Sequence, residues 1–277
     1  MQAAAIRQAL RVAALCLGIC LAGVSTADPG KVSLQWFGHS AVRIVSPGGK
    51  VLLIDPYLTE NPKTPARFKD LAAIGPIDLI LVTHAHADHL GDAPALALAR
   101  NVPIVAPAGL ASSLVALNIV NPELAPRMNK GGTVSPLGPG IRITMVHAEH
   151  SSELVWRNPG TGKYEVHVGG EPVGFLIELE NGFRVYHMGD TALFSDMRVI
   201  GERYHPDLVL VPIGGHSVMD PTDAAYAICE WLKPAYALPI HYGTTPLLKG
   251  TPEQFRAALG SCPTRVLSLA PGESIEF

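Results

Sequence analysis

Between Thr83 and Leu90 the chain reads His84-Ala-His86-Ala-Asp88-His89, directly after the apolar run Ile77-Asp-Leu-Ile-Leu-Val-Thr83. Four side chains able to ligate a metal stand within six residues, at the end of an expected strand. Imidazole and carboxylate donors suit zinc, manganese or iron. A turn after the strand can fold two histidines toward one ion, while Asp88 and His89 reach a second ion beside it. The chain holds 11 His in 277 residues. Three of them in six positions make a histidine-rich surface turn the weaker reading.

Later positions can complete such a centre. Asp190 ends the stretch Arg184-Val-Tyr-His-Met-Gly-Asp190, and Gly189 before it allows close backbone approach. Its two oxygens can reach separate cations; a turn or helix-capping aspartate is the alternative. His241 follows the run Ala235 to Ile240 and, taken alone, reads as a core histidine. The segment Val146-His147-Ala-Glu-His150 offers two candidates. Strand alternation puts His147 on the face of Ile141, Ile143 and Met145, in an apolar layer, and leaves His150 in the loop beyond as the preferred ligand. Asp55 can orient a metal-bound imidazole or simply serve an Asp-Pro turn. His39 and His216 sit in glycine-rich strand-end loops, where they donate to a substrate or merely bond the loop. No Gly-x-Ser-x-Gly elbow occurs, so a serine nucleophile of that kind is not expected.

The elements that must position these residues read as short strands alternating with turns and helices. Strands are expected at Val32–Phe37, Ala41–Val45, Lys50–Ile54, Ile77–Val82 and Val102–Ala106. In the second half they fall at Ile141–Val146, Val173–Glu180, Phe183–Met188, Asp207–Ile213, Ala235–Ile240 and Arg265–Leu269, the last strand of the chain. Asn181-Gly182 favours a hairpin. Helices are expected at Ala93–Arg100 with Asp92 as cap, at Ala108–Leu117, from a Thr222 cap to Lys233, and at Pro252–Leu259. The stretch Glu153 to Glu171, with Trp156 and Tyr164, reads as a hairpin that overhangs a cleft or shields a sheet edge. Strands followed by helices in both halves suggest two packed sheets with helices outside.

The N-terminus has a separate logic. Arg7 and Arg11 precede the apolar stretch Val12–Val24, and Ser25-Thr26-Ala27 supplies small residues for cleavage. Residues 1–27 thus read as a secretory signal peptide, with a single domain at 28–277 and a periplasmic or secreted location. The apolar stretch is shorter than the roughly 20 residues of a membrane span, so no stable membrane insertion is expected after cleavage. Removing Arg7 and Arg11 leaves 19 Lys+Arg against 24 Asp+Glu, a net charge of −5. No basic cluster remains to track a phosphate backbone, which argues against nucleic acid and for a small-molecule partner. Lys63, Arg67 and Lys69 favour an anion or are solvated. Two cysteines remain, Cys229 and Cys262; they pair in an oxidising compartment or stand as buried thiols. Oligomeric state is not legible.

The motifs together resemble a known family. The Trp36-Phe-Gly-His-Ser40, Ile54-Asp-Pro-Tyr-Leu58 and Thr83-His-Ala-His-Ala-Asp-His-Leu-Gly91 segments, with Ala148-Glu-His-Ser-Ser152, Gly189-Asp-Thr191, Pro212-Ile-Gly-Gly215 and Pro239-Ile-His-Tyr242, are similar to the metallo-β-lactamase superfamily. Within it they resemble metal-dependent hydrolases related to the ascorbate-phosphate lactonases. The resemblance spans Lys31–Phe277 and implies a four-layer αββα sandwich, an α/β fold of the α+β kind, with metals in a cleft at one edge. It assigns His84, His86 and His150 to a first ion, Asp88, His89 and His241 to a second, and Asp190 as the bridge. The expected cofactors are two divalent ions, zinc or manganese. Ions about 3.5–4 Å apart sharing a water would give a bridging hydroxide near neutral pH. That hydroxide would attack a small ester, lactone, amide or phosphodiester, with Asp88 and Asp190 as the catalytic carboxylates. The alternative is an iron-dependent oxidoreductase or dioxygenase on the same fold; diiron members of the superfamily typically carry glutamate where this chain has His86.

Overall fold

A computed structural model describes residues 30–277; the expected signal peptide lies outside the described residues. Sixteen strands appear in chain order among the described residues. The first six are β1 Ser33–Gly38, β2 Ala41–Val45, β3 Val51–Ile54, β4 Leu79–Leu81, β5 Ile104–Pro107 and β6 Arg127–Met128. Then come β7 Thr133–Val134, β8 Arg142–His147, β9 Glu153–Arg157, β10 Tyr164–Val168, β11 Val173–Glu178 and β12 Arg184–His187. The chain ends with β13 Leu208–Pro212, β14 Tyr236–Ile240, β15 Arg265–Val266 and β16 Ser274–Glu276. The helices are α1 Ala66–Lys69, α2 Ala87–Leu90, α3 Ala93–Arg100, α4 Ala108–Ala116, α5 Met197–Tyr204, α6 Pro221–Tyr226 and α7 Pro252–Leu259. None is long and apolar enough to cross a membrane.

Two seven-stranded sheets run β16-β1-β2-β3-β4-β5-β6 and β15-β14-β13-β12-β11-β8-β7, and β9 with β10 forms a separate hairpin. Side-chain alternation explains how they stack. On β3, Leu52 and Ile54 face a core shared with Phe175, Ile177, Leu208 and Leu238 of the second sheet, whereas Leu53 faces α3 and α4 through Leu96, Leu110 and Leu114. The second sheet does the same in mirror fashion. Val209 and Val211 meet Ile200, Ile228 and Phe255 of its own helices. Every central strand is buried on both faces, which is why these strands read as near-continuous apolar runs. The result is the expected helix–sheet–sheet–helix sandwich.

Several local expectations need correction. Asp92 does not cap α3 with its side chain. Its carboxylate instead accepts from Leu58 N, Thr59 N and Thr59 Oγ1 at 2.9, 2.9 and 2.6 Å, tying the loop after β3 to the histidine loop. The later helix is capped by Asp220, which accepts from Thr222 N and Asp223 N, with Pro221 in its first turn. It then widens into a π-helical segment, Ala227–Leu232, ending at a left-handed Lys233. The chain also continues past Arg265–Val266 to β16, which pairs antiparallel with β1; its Ser-Ile-Glu sequence carries no apolar run to betray it. Cys229 and Cys262 form a disulfide with Cα atoms 5.7 Å apart.

Candidate metal centre

The chemistry-bearing residues gather where strands of both sheets end. His39 follows β1, Asp55 follows β3, His84 follows the run that contains β4, and His150 lies just beyond β8. Asp190 lies beyond β12 and His241 follows β14. Three of these strand-end residues, His39, Asp55 and His241, adopt left-handed backbone with φ of 55°, 45° and 53°. Non-glycine residues pay for that conformation, and such outliers concentrate at functional sites.

The histidine loop is held in place by its neighbours. After His86 the chain turns into α2, one turn that carries Asp88 and His89. Gly91 ends it at φ 38°, where a Cβ would stand 2.6 Å from Pro56 O and 2.8 Å from Tyr57 Cα. Gly189 fills a similar role before Asp190, at φ 64°, with space for a Cβ blocked by Val173 O at 2.8 Å. Ser152 joins the third strand end to the loop by accepting from Ala85 N at 3.1 Å and donating to Gly169 O at 3.0 Å. Thr191 binds Glu149 N at 3.0 Å and so fixes the Asp190 turn against the His150 loop. The buried His187 bonds Ser40 O through Nε2 at 2.9 Å and accepts from Gly189 N at 3.2 Å.

The donors assemble into groups whose ligating atoms lie within 4.8 Å of one another: His84, His86 and His150; His39, Asp88, His89 and His241; and His84, His89 and Asp190. His84 Nε2 lies 3.0 Å from His86 Nδ1. Asp190 faces both imidazole sets, with Oδ1 3.1 Å from His89 Nε2 and Oδ2 2.9 Å from His241 Nε2 and 3.6 Å from His150 Nε2. His89 Nε2, Asp190 Oδ1 and both ring nitrogens of His241 are buried without hydrogen-bond partners. Buried polar atoms are normally satisfied. Convergent, unspent lone pairs of imidazole and carboxylate are what a divalent cation would take up, so this donor set fits metal ions.

The remote ring nitrogens of His89, His84 and His86 are tied down, which orients those rings. His89 Nδ1 lies 2.8 Å from Asp55 Oδ2, and Asp55 also accepts from Thr83 N at 2.8 Å and Thr83 Oγ1 at 2.7 Å. His84 Nδ1 meets Thr83 Oγ1 at 3.1 Å. His86 Nε2 meets Glu153 Oε2 at 3.2 Å, leaving Nδ1 aimed inward. Burial alone would keep His89 neutral, yet the carboxylates of Asp190 and Asp55 raise it well above the ordinary imidazole value. Burial likewise opposes charge on Asp190, but His241 and His89 hold its carboxyl well below the usual range. Burial lowers His84 and His150, favouring neutral rings able to ligate.

Not every expected residue lands where the sequence suggested. His147 is not in an apolar layer: at the end of β8 its side chain is 37% exposed, and it contacts Lys130 Nζ and Glu149 Oε2 at 3.2 Å each. The alternation argument fails there because β8 runs on to His147, paired with Val173, while the buried residues on that face of the strand stop at Met145. His150 is the residue that reaches the cluster. His39 is buried with both nitrogens engaged, Nε2 to Asp88 Oδ2 at 3.0 Å and Nδ1 to Thr244 Oγ1 at 2.8 Å. Burial, then the neighbouring His241, depresses it to about 4. The neutral ring therefore donates to Asp88 and accepts from Thr244. His216 is exposed at φ 61° and belongs to none of the donor groups among the described residues. Sequence reading passed over Thr83, Glu153, His187 and Thr244; the adjacency of Thr83 and His187 to the histidine loop and to Gly189 was the available signal.

The profile described as "Beta-lactamase superfamily domain" matches residues 50–242, which contain every donor named above except His39. The chain belongs to the metallo-β-lactamase superfamily. A UPF0173 metal-dependent hydrolase of Polaromonas sp. strain JS666 is 57% identical over 274 residues, covering 98% of this chain and 100% of the relative. One from Cupriavidus necator is 59% identical over 258 residues, covering 92% and 89%. Among solved structures, Igni18, a metallo hydrolase from the archaeon Ignicoccus hospitalis, superposes with a TM-score of 0.76 at 32% identity, covering 89% of this chain and 98% of that one. This member of the superfamily is a metal-dependent hydrolase, and the iron oxidoreductase alternative gains no support.

Proposed function

We propose that the chain is an exported hydrolase that works with two divalent ions, zinc or manganese, on a small ester, lactone, amide or phosphodiester. The observation that carries this reading is Asp190, whose carboxylate lies between His150 of one imidazole set and His89 and His241 of the other while buried lone pairs around it stay unspent. His84, His86 and His150 would hold one ion, Asp88, His89 and His241 the other, and Asp190 both. Bound ions of this kind supply an activated water and a Lewis acid for the oxygen that gains charge.

The protein's own groups do the rest. Asp55, Glu153 and Thr83 orient imidazoles so that the inward nitrogen carries a lone pair. His39 fixes Asp88 Oδ2, and the Asp88 side chain, 42% exposed at the cleft, is placed to move a proton to and from solvent. The net charge of −5 after leader removal favours a small-molecule substrate over nucleic acid. Export is supported by the leader-like sequence and by the Cys229–Cys262 disulfide, which suits an oxidising compartment.

Elemental analysis of protein purified from the periplasm tests the reading. Two equivalents of zinc or manganese per chain are expected. Asp190→Ala should lower that content and abolish turnover across a panel of esters, lactones and phosphodiesters. Full metal content and activity in that variant would remove the bridging role.

A further inference from the structure

Glu153 opens β9, and its carboxylate reaches His86 Nε2. The contact is with the outer nitrogen of His86, so the hairpin face that carries Glu153 begins at the rim of the metal centre. Side chains alternate along a strand, and the register sets Val168 opposite Glu153 and Val166 opposite Val155. Arg157 closes that same face at its far end opposite Tyr164, and its apolar members are Val155, Val166, Val168 and Tyr164. They are 57%, 69%, 69% and 74% exposed. The other face needs no such help: Leu154 is buried in the helix-side core and Trp156 packs against it.

A solvated strand face ordinarily carries polar residues, and clustered apolar ones mark an interaction site. The base of the hairpin is fixed to the histidine loop, since Ser152 Oγ accepts from Ala85 N and donates to Gly169 O, and to α4, since Val168 O accepts from Ser113 Oγ at 2.6 Å. Gly170 packs there against Gly109 and Pro107. We propose that this face is a wall that receives an apolar alkyl or aryl portion of the substrate. The proposal rests on the hydrolase reading above and narrows it to esters, lactones or amides with a hydrophobic substituent. The wall starts at a metal-facing histidine, and from Tyr164 to Val168 it runs about 13 Å at 3.3 Å per residue, the span of one substituent. Four side chains fall short of the about 800 Å² per partner that a stable dimer buries, which disfavours a second copy as the occupant.

The test is calorimetric binding of straight-chain carboxylates, butanoate to decanoate, to the metal-loaded protein and to a Val155→Ser/Val166→Ser variant with its metal content checked. Affinity should rise about two- to fourfold per methylene in the parent protein and stay nearly flat in the variant. Equal binding of butanoate and decanoate, or a slope that survives the substitutions, overturns the proposal. A light-scattering mass that falls from dimer to monomer in the variant overturns it in favour of a second copy. A chain-length slope without hydrolysis of any ester would uphold the wall while counting against the catalytic reading.

Discussion

Asp55 shows how one buried side chain organises the centre. It is fully buried and takes three donors, Thr83 N, Thr83 Oγ1 and His89 Nδ1. An amide cannot match that demand, because its NH₂ would face a donor. Asp55→Asn should therefore cost about 3 kcal/mol of stability in urea denaturation of the ion-free protein. Chelator competition should show metal binding weakened by about 10–100-fold. Unchanged values would reduce Asp55 to a turn residue. The donors themselves were legible because histidine and aspartate are rare enough for their crowding to carry information. The residues that orient them were mostly not. Thr244, Ser152 and Glu153 are ordinary residue types, and only tertiary packing brings Thr244 to His39 or Glu153 to His86. His39 stayed open between two readings for the same reason: its partners Asp88 and Thr244 come from distant parts of the chain.

Elements supply the geometry that residues alone lack. The one-turn α2 presents Asp88 and His89 only because Gly91 lets the chain fold back on Pro56 and Tyr57. Gly91→Ala should cost about 2–4 kcal/mol through left-handed strain and steric overlap. Because the strain falls on the donor loop, metal content should drop as well; retention of both full stability and full metal content would contradict this account. Strong local signals predicted elements well. The helix Pro252–Leu259 appears with the expected bounds and a Thr251–Gln254 capping box. Weak ones failed: β16 is short and polar, and the π-helical segment depends on packing against α5 and α7 that no local pattern encodes. That segment carries Cys229, whose disulfide to Cys262 closes a separation of 33 residues. Cys229→Ser should lower stability by about 2–4 kcal/mol, read as a shift in the denaturation midpoint against the oxidised parent protein.

At the scale of the whole molecule, both sheets contribute donors: His84, His86 and His89 follow the first, His150, Asp190 and His241 the second. Bound ions should then stabilise the fold as a whole, since they bind only the folded arrangement. Stripping them with a chelator should lower Tm by several degrees in calorimetry and raise it again on zinc or manganese addition, whereas an unchanged Tm would mean that the centre binds no ion tightly. The four-layer architecture was legible from the order of apolar runs and helices. The sides of the cleft were not, because they depend on how far each strand runs before its loop begins.

The spread of those donors along the chain has a consequence for which metal the enzyme carries. No stretch of the unfolded polypeptide holds a complete set, and the last donor, His241, is made long after His84. If the chain is exported as an unfolded thread, in line with the export proposed above, it would leave the cytoplasm empty and load only after folding outside. Its metal would then be chosen by what the receiving compartment offers at that moment, so a change in external zinc or manganese supply would rewrite the content of newly made enzyme and leave older molecules as they were.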